Sequence, residues 1–290
     1  ALLSQGLTII ISPLIALMHD QIQQLRRLSL PVGYLNSSLS SAEMQETLDS
    51  VRAGRIKAIY ISPERLRDPF FLNVVHSCRE PAPLWVVDEA HCITEWGHDF
   101  RTDYLFIPDA IDLVSPEAQL ILFTATATPL VRADILRQMR RPSAVTICGQ
   151  FDRPNLYLGC RQTRTKADKL HTLLPLLRKP PPGIIYTATR KQCETVFRFL
   201  QESGFRADFY HAGRASTVRE EVHGRFMDDK LDVVVATNAF GMGLNKSDIR
   251  FIIHYAHPGS IDAYYQEIGR GGRDGGRGDC ILLFSPYDRK

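Results

Sequence analysis

The feature that most constrains the fold of this sequence is a regular alternation of short apolar runs with longer amphipathic segments. Amphipathic patterns typical of helices cover Leu14–Leu28, Ala42–Ala53 and Leu130–Met139. Apolar runs of this kind are typical of strands buried on both faces, so we predict a parallel sheet covered by helices on both sides. The predicted strands of the first half are Leu7–Ile11, Ala58–Ile61, Leu84–Val87, Gln119–Phe123 and Val145–Ile147.

The same alternation begins again in the second half of the chain. Its predicted strands are Gly183–Thr187, Ala207–Tyr210, Val233–Ala236, Phe251–His254 and Ile281–Phe284. The segment between the two sets, Gly149–Arg161, is polar, lacks periodicity and contains the turn-forming Arg153-Pro154-Asn155. We therefore predict an α/β fold with two domains, residues 1–148 and residues 149–290.

Composition narrows the class of protein. Hydrophobic residues make up 44% and charged residues 23%, as in soluble globular proteins. The apolar runs are too short to span a membrane, and the first residues lack the features of a signal peptide. The six cysteines include no Cys-x-x-Cys pair, which argues against a zinc site or a disulfide framework and fits a reducing compartment. A net charge of +3 is compatible with nucleic-acid binding without indicating it.

Two carboxylates follow the apolar run Leu84–Val87 directly, in Asp88-Glu89-Ala90-His91. Ligands of open parallel sheets bind at the carboxyl ends of the strands, where these acids are predicted to lie. A strand that delivers two acids in this way is a Walker B arrangement, in which the first acid holds Mg²⁺ and the second polarises the attacking water. The alternative is a strand followed by a polar turn.

Three further segments of the first domain are less specific. The loop Cys92–Arg101 contains Trp96, His98, Phe100 and Arg101, which can stack bases and pair with phosphate, although its aromatic rings can equally pack into the domain. Ser12-Pro13-Leu14 begins a helix whose first amides can bind a DNA phosphate, and a plain helix start explains it as well. Phe123–Ala127 is either a relay of hydroxyl groups or an N-cap.

Two arginines three positions apart mark the second domain, in Gln266-Glu267-Ile268-Gly269-Arg270-Gly271-Gly272-Arg273. We predict that they lie on one helix face, where one can act as an arginine finger on a transferring phosphoryl group. The strand Val233–Ala236 continues through Thr237 into a glycine loop with Gly241, Gly243 and Asn245, which suits phosphate or nucleic-acid backbone contact. Thr189 and Arg190 follow another strand, and Arg190 can equally be a solvated helix start.

In this order, the segments resemble the RecQ family of superfamily 2 helicases along essentially the whole chain. The aromatic-rich loop Trp96–Arg101 is the family's hallmark. The other matching segments are Ser12–Met18, Ile61–Leu66, Asp88–Ile93, Phe151–Asn155, Ala239–Gly243 and Tyr264–Glu267.

The resemblance implies two RecA-like lobes, ATP and Mg²⁺ as cofactors, and 3′-to-5′ translocation on single-stranded and partly duplex DNA in recombination and repair. Apart from the resemblance, the lack of targeting signals suits a bacterial cytoplasm, and we expect a monomer that is associated with the nucleoid and binds no membrane. The candidate catalytic residues are Asp88, also the metal ligand, Glu89, His91, Gln266, Arg270 and Arg273, with Arg273 the preferred finger. The candidate cofactor-binding residues are Gly241, Gly243 and Asn245. The candidate DNA-binding residues are Ser12, Pro13, Leu14, Trp96, His98, Phe100, Arg101, Thr189, Arg190 and Thr237.

The sequence departs from the family pattern in three respects. It lacks an initiator Met, the glutamine adenine motif and the Gly-x-Gly-Lys-Ser phosphate loop before Leu7, so we expect an incomplete first lobe with unpaired strand edges, and no ATP hydrolysis by this chain alone. It ends at Lys290, before the family's zinc and winged-helix regions, and Gly271 replaces the usual Ala. The alternatives are a non-catalytic DNA-binding fragment and an RNA helicase of the same superfamily.

Overall fold

The computed structural model describes residues 6–78, 82–95, 100–125, 127–149, 152–177, 182–238, 240–241, 244 and 246–286. The chain forms two compact units, residues 1–148 and residues 149–290, which we call the first and second lobe. Among the described residues, every helix is too short or too polar to cross a membrane.

The first lobe contains a five-stranded parallel sheet in the order β2-β3-β1-β4-β5. Its strands are β1 (Thr8–Ile11), β2 (Val32–Leu35), β3 (Ala58–Ile61), β4 (Leu84–Val87) and β5 (Gln119–Leu122). Its helices are α1 (Ile15–Arg27), α2 (Ser41–Arg52), α3 (Pro69–His76), α4 (Ile107–Val114) and α5 (Pro129–Gln138). Short 3-10 turns cover Pro63–Arg67, Ala90–Ile93 and Thr102–Phe106.

Alternate residues of each central strand face opposite sides of this sheet. Ile9 and Ile11 lie in a core cluster with side chains of α2 to α5, while Ile10 packs on the other side with Met18 and Ile22 of α1. Helices therefore cover both faces, as the uninterrupted apolar runs predict. The two-faced parallel fold predicted for this half is confirmed.

Two predictions about strands of the first lobe are wrong. β2 was missed, because Gly33 and Tyr34 interrupt its short apolar run. Val145–Ile147 is not a strand: Val145 and Ile147 are 89% and 91% exposed, and no described strand pairs with them. A β-rich composition alone does not make a strand, because a strand requires a partner for its backbone groups.

The described strands of the first lobe pair in unbroken order, and the unpaired edges belong to β2 and β5. β1 is hydrogen-bonded on both sides, and so is β4. The edge strand β5 has three half-buried apolar residues, and Phe123 directly after it is 56% exposed. Apolar side chains are therefore partly exposed at the edge strand β5.

The second lobe contains a six-stranded parallel sheet in the order β6-β11-β10-β7-β9-β8. Its strands are β6 (Leu156–Gln162), β7 (Gly183–Tyr186), β8 (Ala207–Tyr210), β9 (Val233–Ala236), β10 (Phe251–His254) and β11 (Gly278–Phe284). Its helices are α6 (Lys166–Leu176), α7 (Arg190–Glu202), α8 (Ser216–Met227) and α9 (Ile261–Ile268). β6 was not predicted, because it falls in the segment Gly149–Arg161 that was interpreted as the junction between the two domains.

Both faces of this second sheet are also covered. Ile185 and Val235 pack in a cluster with side chains of α6 and α7, while Ile184 and Val234 pack with α8 and α9. The α/β fold with a parallel sheet in each lobe is therefore confirmed. In each lobe, the carboxyl ends of neighbouring strands bring polar residues from distant parts of the sequence together.

Candidate functional site

Asp88 and Glu89 lie directly after β4, at the carboxyl end of the first sheet. The Glu89 backbone is left-handed, with a φ of 50°, and the 3-10 turn Ala90–Ile93 begins immediately after it. A non-glycine residue in this conformation costs about 1–2 kcal/mol. Strain of this kind clusters at functional sites, and here it accompanies the abrupt turn that follows two adjacent carboxylates.

Asp88 is held by its neighbour Glu89 and by contacts from two other parts of the first lobe. Its carboxylate accepts hydrogen bonds from the Glu89 N–H at 2.9 Å and from the Ser12 hydroxyl at 3.4 Å. The buried Tyr104 hydroxyl donates to the Asp88 carbonyl at 2.9 Å. Burial raises the pKa of the Asp88 carboxyl, while its two hydrogen bonds act in the opposite direction. The carboxylate is therefore fixed before any ligand binds.

Ser12 is fully buried and faces Asp88, and its N–H donates to the Ile61 carbonyl at 3.1 Å. Its predicted contact with DNA stays a prediction, whereas its contact with the acidic motif is a finding. Pro13 and Leu14 are half-buried, and Leu14 precedes the first residue of α1.

His91 links the acidic motif to the segment after β5. Its ring lies in the core, with Nδ1 3.0 Å from the Thr124 hydroxyl and 3.3 Å from Glu89 Oε2. The hydroxyl relay that the sequence suggested for Phe123–Ala127 thus has a physical partner. A movement of Glu89 would therefore shift the His91 ring and, through it, the Thr124 hydroxyl.

The ends of the aromatic-rich loop are anchored inside the first lobe. At its start, the buried Thr94 hydroxyl donates a short hydrogen bond to the buried Asp134 carboxylate. At its end, the Arg101 N–H donates to the Cys92 carbonyl at 2.9 Å. The Arg101 guanidinium donates to the Pro13 carbonyl at 3.2 Å. The loop is therefore joined to the start of α1 by Arg101.

Between these anchors, Phe100 is 36% exposed, while Trp96 and His98 lie outside the described residues. The sequence analysis missed the roles of Thr94 and Asp134, because a Thr and an Asp forty positions apart form no local pattern.

The two arginines of the second lobe do not lie on a helix, contrary to the prediction. α9 ends at Ile268, and Arg270 and Arg273 stand in the tight turn that follows. The glycines at 269, 271 and 272 explain the difference, since consecutive glycines end a helix readily. Burial and the nearby charges of Arg270 and Arg153 lower the pKa of the Arg273 guanidinium.

Arg270 is buried against the end of β7 and the loop after β9. Its guanidinium donates a short hydrogen bond to the Gly241 carbonyl, and the Tyr186 hydroxyl donates to the Phe240 carbonyl at 3.0 Å. A Cβ atom on Gly241 would lie 2.6 Å from Arg270 Nε and 2.7 Å from the Tyr186 hydroxyl. Gly241 also has a φ of 114°, so two separate constraints require glycine there.

The turn-forming Arg153-Pro154-Asn155 segment clamps the arginine turn. The Arg153 guanidinium donates to the carbonyls of Gly269, Gly271 and Gly272 at 3.3, 2.8 and 3.2 Å. The Asn155 amide donates to the carbonyls at positions 272 and 276, both at 2.8 Å. The sequence indicates a domain boundary and one of the family-like segments here, and the structure adds the contacts with the arginine turn.

The remaining candidates of the second lobe are spread along the carboxyl edge of its sheet. Gln266 is half-buried on α9, and Thr237 is half-buried after β9. Thr189 caps α7 by accepting from the Gln192 N–H at 3.2 Å, and the neighbouring Arg190 is exposed. Gly243 and Asn245 lie outside the described residues.

Each lobe presents charged groups at the carboxyl edge of its own sheet, and the two sets differ in charge. The first offers fixed carboxylates, which suit a hydrated divalent cation and a water nucleophile. The second offers the buried Arg270 and the exposed Arg273 guanidinium groups, which suit phosphate. Among the described residues, no cluster of three or more metal-binding side chains is present.

Comparison with known protein families gives two matches. The DEAD/DEAH box helicase family matches residues 2–133, and the helicase conserved C-terminal domain family matches residues 165–275. The boundary between the two matches falls around the junction of the two compact units.

Curated relatives are similar over almost the whole chain. The ATP-dependent DNA helicase RecQ of Bacillus subtilis (strain 168) is 41% identical over 99% of this chain, which covers 48% of that protein. The probable ATP-dependent DNA helicase RecS of the same organism is 40% identical over 98%, which covers 57% of it. The chain thus spans about half the length of these relatives.

Among solved structures, Mss116p bound to ssRNA and AMP-PNP has a TM-score of 0.77 with this chain. It is 16% identical over 97% of this chain and 59% of its own. At that identity the likeness concerns the fold alone, and it confirms the prediction of RecA-like lobes.

Proposed function

Because this chain belongs to the DEAD/DEAH-box helicases of superfamily 2, with RecQ helicases as its relatives, we propose that the whole protein is an ATP-dependent DNA helicase. The observation that carries the proposal is the placement of Asp88 and Glu89. Both lie in a strained turn at the carboxyl end of a central parallel strand, where open α/β sheets bind nucleotides. We assign the first lobe to residues 1–148 and the second to residues 149–290.

In the first lobe, Asp88 holds Mg²⁺ and Glu89 polarises the water that attacks the γ-phosphate of ATP. One carboxylate together with phosphates and waters is a usual donor set for Mg²⁺, which supplies charge neutralisation when bound. The hydrogen bonds of Asp88 to Ser12 and to the Glu89 N–H leave a preoriented carboxylate. The buried His91 ring contacts both Glu89 and Thr124, and it couples the positions of these two side chains.

In the second lobe, Arg270 and Arg273 stabilise negative charge on the transferring phosphoryl group, with Arg273 as the finger. Both guanidinium groups donate to a carbonyl, Arg270 to Gly241 and Arg273 to Leu244, and the greater exposure of Arg273 supports this choice. Gln266 contacts the nucleotide beside them as a further catalytic residue. Gly241, with the neighbouring Gly243 and Asn245, lies along the nucleotide phosphates.

DNA is contacted by groups at the carboxyl ends of both sheets. Phe100 and Trp96 stack on bases, and the exposed ring of Phe100 supports this role. The anchoring of Arg101 on Pro13 supports coupling between DNA contacts at the start of α1 and the acidic motif. The proposed DNA-binding set is Ser12, Pro13, Leu14, Trp96, His98, Phe100, Arg101, Thr189, Arg190 and Thr237.

The proposed substrates are single-stranded and partly duplex DNA, with movement from 3′ to 5′ along one strand in recombination and repair. The DNA helicases among the relatives support DNA over RNA. We propose that the protein acts as a monomer on the DNA of the nucleoid, in the cytoplasm.

The test is Mg²⁺-dependent ATP hydrolysis by the whole protein without nucleic acid, with single-stranded DNA and with RNA of the same length. We expect stimulation by DNA, and a loss on the order of 100-fold or more in Glu89→Gln. Glu117→Gln is the matched control, because it makes the same change at an exposed position of the same lobe.

Stimulation by RNA alone would assign the protein to the RNA helicases. DNA binding without hydrolysis would support a non-catalytic DNA-binding protein and refute the proposal.

A further inference from the structure

A buried histidine and a buried glutamate form a pair beside the arginine turn of the second lobe. His254 is the last residue of β10 and is completely buried, and Glu267 lies near the end of α9 and is 8% exposed. His254 Nε2 lies 2.8 Å from Glu267 Oε2. The pair is a polar contact between α9 and the interior strand β10.

Aromatic rings from two elements enclose the histidine. Tyr186, at the end of β7, is stacked on the His254 ring with centroids 5.6 Å apart, and Tyr264 of α9 lies 5.0 Å away. Within the described part of the chain, His254 Nδ1 is buried without a hydrogen-bond partner. The 2.8 Å between His254 Nε2 and Glu267 Oε2 is a hydrogen-bond distance, and the carboxylate oxygen accepts.

The pair is joined to Arg270 in two ways. The Glu267 carbonyl accepts from the Arg270 N–H at 3.3 Å, so the residue that holds His254 also begins the arginine turn. The Tyr186 ring that stacks on His254 carries the hydroxyl packed between Phe240 and Gly241, against the Arg270 side chain. Burial raises the pKa of that hydroxyl to about 12, while the positive charge of Arg270 lowers it.

We propose that His254 and Glu267 are positioning residues for Arg270 and, through the same turn, for Arg273. They fix the end of α9 on β10, so that both guanidinium groups are held in place before the nucleotide arrives. Without the hydrogen bond, α9 stays packed by Ile268 and Tyr264, but it loses the anchor that Glu267 makes to β10. The inference rests on the proposed function of the two arginines.

The test compares variants of the whole protein by kcat and KM for ATP at saturating single-stranded DNA. His254→Phe keeps the stacked ring and removes the N–H, Glu267→Met removes the carboxylate, and Glu267→Gln keeps an oxygen that accepts from His254. Asp232→Asn is the control, because it weakens an exposed ion pair with Arg206 at the opposite end of the same sheet. Thermal unfolding of each variant shows the fraction folded at the assay temperature.

We expect kcat to fall about tenfold in His254→Phe and in Glu267→Met, with KM for ATP changed less than about twofold. The double variant should be no slower than either single variant, because both remove one hydrogen bond. Glu267→Gln should keep at least about half of the wild-type kcat. A purely structural role would instead lower activity in proportion to the folded fraction.

Two results would overturn the inference. One is a wild-type kcat in Glu267→Met while Arg270→Ala is inactive, and the other is a multiplicative loss in the double variant. If the wild-type protein lacks ATP hydrolysis stimulated by DNA, or if Arg270→Ala has no effect, the proposed function fails instead. The two failures are thus distinguishable.

Discussion

Gly241→Ala should disrupt the arginine site more than the same substitution at a second-lobe glycine whose added Cβ meets no neighbouring atom. The added Cβ would lie 2.6 Å from Arg270 Nε, 2.7 Å from Arg270 Cζ and 2.7 Å from the Tyr186 hydroxyl. Real Cβ atoms do not approach so closely, and neither neighbour can yield freely. Arg270 is bound to the Gly241 carbonyl, and Tyr186 is bound to the Phe240 carbonyl.

The magnitude follows from two additive costs. A non-glycine residue with the φ of 114° found here costs about 1–3 kcal/mol in backbone strain. Forcing extra volume into a packed site costs a further 1–3 kcal/mol or so. Gly204→Ala is the matched control, because Gly204 has a φ of 83° in the same lobe and no atom lies within 4 Å of its added Cβ. The control variant carries the strain alone.

Both tryptophans, Trp85 and Trp96, belong to the first lobe, so tryptophan fluorescence would not report on the second lobe. Hydrogen exchange followed by mass spectrometry therefore suits this comparison. Peptides covering β7, β9 and β10 report the free energy of opening of the second lobe. We expect Gly241→Ala to be more destabilising than Gly204→Ala by about 1–3 kcal/mol, and also to abolish ATP hydrolysis by the whole protein. Equal destabilisation in the two variants would refute the tight packing of Arg270 and Tyr186 on Gly241.

Three other predictions concern the first lobe. The Thr94 and Arg137 hydrogen bonds lower the pKa of Asp134, so the carboxylate stabilises the fold above its ordinary pKa of about 3.9. This stabilisation is lost as the pH falls through the lowered pKa. The melting temperatures of wild type and Asp134→Ala should therefore become equal in acid. Glu89→Gly should raise the free energy of unfolding by up to about 1 kcal/mol, because it relieves a φ of 50°, while hydrolysis is lost; urea titration and an ATPase assay check this. Ile147→Ser should change stability by less than about 0.5 kcal/mol in urea titration, since that side chain is 91% exposed.

The elements that could be predicted from the sequence are those whose burial is visible in their own residues. β9 is Val-Val-Val-Ala and fully buried, and its apolar run identifies it without further information. β6 contains Gly, Cys, Arg and Gln because it is an edge strand, so its residues meet solvent and its identity depends on pairing with β11. The segment at Val145 shows the opposite error, in which strand-like residues have no described partner.

Candidate site residues follow the same division. The sequence placed Asp88 and Glu89 correctly at a strand end, because an apolar run followed by acids is a local signal. The prediction that Arg270 lies on a helix was wrong. The glycines that suggested close approach to another surface also end α9 before Arg270. His254 and Glu267 were missed because each is ordinary in its own segment, and only the fold brings them to 2.8 Å.

The order of the strands in each sheet determines which of these strand-end residues lie next to each other. β4 lies between β1 and β5, so the acidic motif at its end meets Ser12 after β1 and Thr124 after β5. In the second lobe, β10 lies beside β7, and this adjacency stacks His254 on Tyr186. The adjacencies of β1 with β4 and of β7 with β10 do not follow from sequence order, since other strands intervene along the chain, whereas β4 and β5 are consecutive. A polar residue at a strand end can therefore be read from one segment, whereas its partner is set by the neighbour that the sheet assigns to that strand.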